Sequence, residues 1–172
     1  GNGDNVVSAG AGDDTITGGT GDDTISVAAV IGDISLNAGA GDDTVTIGRA
    51  HVNAGAAEAG DVIAGGTGTD TLVADVDLVD TAAVTTALTG VSGFETLNLS
   101  GAMGGGDTVT TADISSDIVR VNVSSVTGGT GLTLNMGSSA TVGLNVTAAV
   151  TAADTLTVDA SGSGTSDALT IT

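Results

Sequence analysis

One short phrase recurs along this chain. A glycine-rich turn carrying one or two aspartates leads into a run in which an aliphatic residue is flanked by Thr or Ser. Val7, Ile16, Ile25, Val45, Ile63 and Leu72 are those aliphatics. Alternation with a period of two marks a strand with one face toward a core, and β-branched residues suit its pleat. The pattern predicts a strand after each turn, with one aliphatic inward and hydroxyl side chains outward. Residues 76–90 break it. Val76 to Leu88 reads as a short helix or an irregular crossing, with Asp77 or Asp80 as its cap and Gly90 as its end. Alternation then returns at longer spacing over residues 94–99, 118–123, 132–136, 142–146, 156–158 and 169–171. Strands at repeated spacing predict a continued parallel solenoid with wider coils, with a β-sandwich as the alternative.

The turns are a true internal repeat. Gly1-Asn2-Gly3-Asp4-Asn5 is followed by Gly10-Ala11-Gly12-Asp13-Asp14 and then Gly19-Thr20-Gly21-Asp22-Asp23. The unit returns as Gly39-Ala40-Gly41-Asp42-Asp43 and as Gly66-Thr67-Gly68-Thr69-Asp70. Asp33, Asn53 and Asp61 fall in the gaps. With them, the sixth-position residues are spaced 9, 9, 10, 10, 10, 8 and 9 apart, which predicts eight successive turns. If turns alternate between two edges of a flattened coil, one edge stacks Asn5, Asp23, Asp43 and Asp61. The other then stacks Asp14, Asp33, Asn53 and Asp70.

Composition sharpens the question. The chain has 172 residues, a net charge of −19, 29 Gly and one Phe, and no Cys, Pro, Trp or Tyr. That charge argues against nucleic acid and anionic membrane surfaces as partners, and no apolar run approaches the roughly 18 residues of a membrane helix. Without Cys there is no disulfide frame and no thiolate chemistry. An opening on Gly, with no leader, reads as a piece excised or processed from something longer, and a strand ending at Thr172 reads the same way. Acidity with few aromatics usually means disorder, yet 40 % of the residues are hydrophobic. Two carboxylates about 4 Å apart repel by about 4 kcal/mol at an effective dielectric near 20. Several such pairs rival the whole stability of a domain, about 5–15 kcal/mol. A cation must neutralise them before the apolar stripe can be buried.

The turns match the nonapeptide G-G-x-G-x-D-x-U-x, and the chain thereby resembles the RTX calcium-binding repeat family. The resemblance implies an all-β fold, a right-handed parallel β-roll or β-helix, with residues 1–75 as the calcium-binding roll, 76–90 as a connection and 91–172 as a wider-coil solenoid. It implies several Ca²⁺ ions held between stacked turns by Asn5, Asp14, Asp23, Asp33, Asp43, Asp61 and Asp70 with the backbone of Gly1, Gly3, Gly10, Gly12, Gly19, Gly21, Gly39, Gly41, Gly66 and Gly68. Calcium takes six to eight oxygens, carboxylate and carbonyl together, so binding and folding become one event. Fifth-position Asp4, Asp13, Asp22 and Asp42 either ligate or face solvent. Asp107, Asp154 and Asp167 read as turn residues rather than ligands. Phe94 is expected to pack inside the coil, and Glu95 either accepts hydrogen bonds or ligates an ion.

The order Gly68-Thr69-Asp70-Thr71-Leu72, then an Ala/Thr/Asp stretch, then Val91-Ser92-Gly93-Phe94-Glu95-Thr96-Leu97-Asn98-Leu99, is similar to bacterial surface-layer (S-layer) proteins exported by type I secretion. That implies a secreted, extracellular, structural protein, not an enzyme, whose partners are itself, in a lattice or oligomer, and neighbouring domains of a longer chain. A cell-surface glycan is a further candidate partner. Two alternatives are an RTX adhesin or ice-binding module and the calcium-binding tail of a secreted enzyme. The motive for the first is the Thr-x-Thr series Thr15/Thr17, Thr44/Thr46, Thr108/Thr110, Thr155/Thr157 and Thr170/Thr172. His51, the only histidine, has no partner for a catalytic triad, and Arg49 and Arg120, the only cations, contribute little as surface pairs.

Overall fold

The computed structural model describes residues 1–27, 32–48, 60–75, 90–100, 108–110, 117–123, 132–135, 143–146, 156–159 and 170–171. Among them there is no helix, and every strand pairing is parallel. In the first half the strands are β1 (Val6–Ser8), β2 (Asp14–Thr20), β3 (Thr24–Val27), β4 (Ile34–Ala40), β5 (Thr44–Ile47), β6 (Val62–Thr67) and β7 (Thr71–Asp75). The second half adds β8 (Val91–Ser92), β9 (Thr96–Ser100), β10 (Thr108–Thr110), β11 (Arg120–Val123), β12 (Leu132–Asn135), β13 (Gly143–Val146), β14 (Leu156–Asp159) and β15 (Thr170–Ile171).

Strands skip one neighbour to pair. The odd-numbered strands all build one long sheet, in the order β1-β3-β5-β7-β9-β11-β13-β15. The even strands form a four-stranded sheet, β2-β4-β6-β8, and a three-stranded one, β10-β12-β14. This is the topology of a parallel β-solenoid, each coil laying one strand on each sheet. The long sheet runs without a break from β7 to β9, with Thr71 opposite Thr96 and Leu72 opposite Leu97. The short helix considered for residues 76–90 falls on residues 76–89, outside those described. Gly90 itself lies in a turn.

The core is a stripe between the long sheet and the four-stranded sheet. Ile25, Val45, Leu72, Leu97 and Val121 stack in register down the long sheet, and Leu36 and Ile63 face them from the other side, all buried. Strands of the long sheet turn two aliphatics inward rather than the single one predicted. Val27, Ile47, Ala74, Leu99 and Val123 make a second buried column. Val7 and Ile16 are only partly buried, since they lie in the first coil, covered from one side. Phe94 is fully buried, as expected.

The register measures the coil. Partners are 18 residues apart between β1 and β3 and 20 between β3 and β5, then 27 between β5 and β7 and 25 between β7 and β9. The extra residues of the 27-residue coil lie between β5 and β6, and those of the 25-residue coil between β7 and β8; Arg49, His51 and Asn53 lie outside the described residues.

Candidate metal centre

Turns on the long-sheet edge come into line because their glycines allow one coil to sit directly on the next. Gly1, Gly19, Gly39 and Gly66 stack in one column, and Gly3, Gly21, Gly41 and Gly68 in a second. Gly39 shows why no side chain is tolerated. Its φ is +121°, and a Cβ there would overlap the carbonyl oxygen of Gly19 in the coil before. Backbones this close require glycine.

This stacking aligns the carboxylates. Asp23 Oδ1 accepts the backbone N–H of Asn5 at 2.8 Å, Asp43 Oδ1 that of Asp23 at 2.7 Å, and Asp70 Oδ1 that of Asp43 at 2.8 Å. Each carboxylate thus reaches back one coil. The ladder starts on Asn5, whose side-chain amide donates to Asp23 Oδ1 at 2.8 Å and to the carbonyl of Gly3. It ends on Glu95, whose Oε2 accepts the N–H of Asp70 at 2.7 Å. Asp23, Asp43 and Asp70 are each 1 % exposed or less.

One oxygen of each is satisfied, the other is not. Oδ2 of Asp14, Asp23, Asp43 and Asp70 is buried with no hydrogen-bond partner. A buried anionic oxygen left unpaired costs several kcal/mol and calls for a positive charge. Burial pushes the Asp43 carboxyl above its ordinary value, against the pull of the Asp23 amide, and the charges of Asp23, Asp22 and Asp42 push it further. Burial lifts Asp70 to about 6, again against its backbone hydrogen bond, with the charges of Asp43, Glu95 and Asp42 adding. Beside Gly18, a Cβ would overlap both Asp23 Oδ2 and the carbonyl oxygen of Ala38 from the next coil. A carboxylate oxygen and a carbonyl oxygen therefore converge on the same gap. Among the described residues no three acidic or histidine side chains converge into a cage. A cation here would be held by carboxylates together with backbone carbonyls, the mixed shell of a hard ion such as Ca²⁺, and the residues present fit it.

The predicted stacks need correction. Asp70, not Asp61, continues Asn5, Asp23 and Asp43. Asp61 stands on the other edge, where its Oδ1 accepts the N–H of Ile34 at 2.7 Å. The even alternation of turns fails because the 27 residues from Asp43 to Asp70 make one long coil, not one and a half short ones. Asp33 is also displaced. Asp14 is in register with Ile34, so the buried middle rung of that edge is aliphatic. Asp33 is exposed and donates its N–H to Asp13 Oδ1 at 3.1 Å. Gly12 underlies Gly32, whereas a Cβ on Gly10 or on Gly12 would meet nothing within 4 Å.

The fifth-position aspartates face solvent, the second of the two alternatives, and do more there than expected. They form a second, exposed ladder running the opposite way. Asp4 Oδ1 accepts the N–H of Asp22 at 3.0 Å, Asp22 that of Asp42 at 2.8 Å, and Asp42 that of Thr69 at 2.8 Å. Each turn is held from both sides, by an inner carboxylate reaching back and an outer one reaching forward. The signal was the Asp-Asp doublet itself, which puts adjacent side chains on opposite faces of an extended segment. Glu95 was weighed between acceptor and ligand; it is an acceptor in the ladder. Asp107, Asp154 and Asp167 lie outside the described residues.

Among known families, the RTX calcium-binding nonapeptide repeat matches in four copies over residues 1–29 and 57–77. No curated protein and no solved structure matches the chain. The matched segments supply all the residues of the ladder except Asp43 and Glu95.

Proposed function

From RTX calcium-binding repeats that form a calcium-binding structural module, we propose that this chain folds on the outside of a bacterial cell when Ca²⁺ binds and self-assembles there as part of a surface layer. Proteins with such repeats are typically secreted, and millimolar calcium is met outside cells. The observation that carries the reading is the ladder Asp23–Asp43–Asp70 with its buried, unpaired oxygens. Before export, in low calcium, these carboxylates keep the coils apart. After export, calcium supplies the charge that lets them stack, and the apolar stripe closes with them. The role is mechanical rather than catalytic. The partners proposed are further copies of the chain and neighbouring domains of a longer one.

Far-UV circular dichroism with size exclusion, during calcium titration from a chelated start, tests it. Strand signal and compaction are expected together, near the roughly 10⁻⁴–10⁻³ M of extracellular calcium modules, with large oligomers appearing in the same range and dispersing in chelator. A folded, calcium-bound monomer at every protein concentration would overturn self-assembly.

A second reading, a binding module, has one observation behind it. Thr24, Thr44, Thr71 and Thr96 stand in register on the long sheet, at alternate positions to the buried column. Of these four only Thr44 belongs to the predicted Thr-x-Thr series, which is split between sheets: Thr15 and Thr17 lie on the four-stranded sheet, Thr108 and Thr110 on the three-stranded one. Thermal hysteresis of the folded protein measures whether this column binds ice, and its absence removes that option.

A further inference from the structure

The carboxylate ladder does not stop where the nonapeptide repeats stop. The last matched segment ends at residue 77, yet the next coil repeats the ladder's geometry with a different sequence. Gly93 has a φ of +66° and lies against Gly66, in the place its counterparts take in earlier coils. From Gly93 the chain needs two residues to reach Glu95, where Gly66 needs four to reach Asp70. Glu95 nevertheless stands opposite Asp70, since Thr96 pairs with Thr71 and the Glu95 N–H donates to the Asp70 carbonyl at 3.1 Å. Glu95 Oε2 meets the N–H of Asp70 at 2.7 Å, as Asp70 Oδ1 meets that of Asp43 at 2.8 Å.

The oxygens also converge as they do in the repeats. A Cβ built on Gly65 would overlap the carbonyl oxygen of Gly93 and would lie 2.9 Å from Asp70 Oδ2. Beside Gly18 the same pair occurs, Asp23 Oδ2 with a carbonyl of the next coil. Asp70 is 0 % exposed and its Oδ2 has no hydrogen-bond partner. A buried carboxylate oxygen, a carbonyl from the neighbouring coil and a second carboxylate are thus gathered at the junction of the repeats with the following coils. We infer that Asp70, the Gly93 carbonyl and Glu95 form a calcium site outside the repeat motif, which fastens the repeat coils to β9 and the strands beyond it.

The site rests on the reading that the ladder holds calcium, and the experiment separates the two. Phe94 is the only aromatic residue in the chain and adjoins Glu95, so terbium(III) excited through phenylalanine reports ions close to this junction and none far from it. Emission should rise as terbium is added and fall as calcium displaces it. Glu95→Gln keeps the acceptor for the Asp70 amide but removes the charge. It should bind one calcium ion fewer per chain by titration calorimetry and lose most of the Phe94-sensitised emission, with its strand signal in saturating calcium retained. Phe94→Leu should lose the emission and keep the full calcium count, which shows that the signal comes from Phe94. Unchanged stoichiometry, midpoint and emission in Glu95→Gln, while Asp43→Asn loses calcium, would overturn this site and leave the repeat reading standing. If neither variant changes calcium binding, both readings fall.

Discussion

The two edges of this solenoid are made by the same coils, yet only one carries an unbroken column of acid. On the long-sheet edge, Asn5, Asp23, Asp43, Asp70 and Glu95 follow one another in register. On the opposite edge, Asp14 and Asp61 are separated by Ile34, 1 % exposed and packed into the core. Four of the five clear motif copies fall on the first edge and one on the second. One edge therefore concentrates the electrostatic cost and the demand for cations. The other substitutes apolar burial for charge at its middle rung and depends less on metal. On the function proposed above, stability in this fold is not set evenly along the coil: calcium at one edge permits the stacking with which the apolar stripe closes.

The largest expected effect is removal of the ion. In excess chelator the first-edge carboxylates face each other across successive coils with nothing between them, and the strand signal of the repeat coils should collapse. Calcium should restore it in one transition, with circular dichroism and hydrodynamic radius changing at the same concentration. Non-coincident transitions would show that the apolar stripe closes without the ladder, and the contrast between edges would lose its meaning.

Glycine substitutions come next, because they separate stacking from turn conformation. Gly39→Ala forces a Cβ into the Gly19 carbonyl and onto a φ of +121°. The loss should exceed about 4 kcal/mol, enough to abolish folding at any calcium level. Gly12→Ala carries a similar penalty of conformation, φ +106°, but its Cβ meets nothing within 4 Å. Its cost should stay near the 1–2 kcal/mol of a left-handed residue, roughly. Equal losses, read from calcium-dependent melting, would mean that turn conformation alone matters.

Asp43→Asn and Asp33→Asn compare the edges directly. Asn at 43 still accepts the Asp23 amide but supplies no charge to the gap, so the calcium midpoint should rise about tenfold, since ligand charge sets the affinity of such sites. Asp33 is exposed, and its removal should shift the midpoint by less than about twofold. A reversed order would place the principal site on the interrupted edge.

The sequence shows clearly what depends on local chemistry. Gly-x-Gly before an acid gives the turn, the following alternation gives the strand, and five strands of the second half lie within a residue or two of their predicted starts, at Arg120, Leu132, Gly143, Leu156 and Thr170, whereas β8 and β10 have no counterpart among the predicted alternating segments. Pairing across coils was harder to read, because it depends on how much chain each coil stores. The spacing of Asp43, Asn53, Asp61 and Asp70 looked like steady turns, while the true register makes residues 43–70 a single coil. Asp61 and Asp70 changed edges for that reason. Asp33 deceived for a subtler one: one residue later stands Ile34, and the core took the aliphatic side chain inward and left the acid outside. The buried β4 was missed with it, since Ile34-Ser35-Leu36 follows no full motif copy. Glu95 was noticed without being placed, because its turn shares only a glycine and an acid with the repeat.

Acidity offers a further handle on the first edge. The Asp70 carboxyl is lifted from 3.8 to about 6, and Asp43 is raised as well. An acid with a raised folded-state value holds more protons folded than unfolded, so its destabilising charge is absent at low pH and present above that value. In chelator, stability should fall as pH rises from about 4 through 6, leaving more strand signal at about pH 5 than at pH 7. With saturating calcium the order should invert, since protons then compete with the ion for the same oxygens. A chelated chain with the same strand signal across that window would mean that the ladder carries no electrostatic penalty.

The smallest effect should come from the outer ladder, and it tests whether carboxylates matter here as charges or as acceptors. Asp42 Oδ1 accepts the N–H of Thr69, and the Asp42 amide donates to Asp22 Oδ1, both at 2.8 Å and both exposed to solvent. Asp42→Asn preserves the acceptor and removes one charge. Water already screens that charge, and its loss slightly relieves Asp43 and Asp70, both of which feel Asp42. The calcium midpoint should move by less than about twofold, while apo stability in chelator should rise a little. Asp42→Ala, which removes the acceptor too, should cost more than Asp42→Asn at every calcium concentration, because the Thr69 amide then has only water to bind. If Asp42→Asn instead shifted the midpoint as far as Asp43→Asn, the outer aspartates would be ligands, and the division between an inner, ion-holding ladder and an outer, backbone-holding one would not stand.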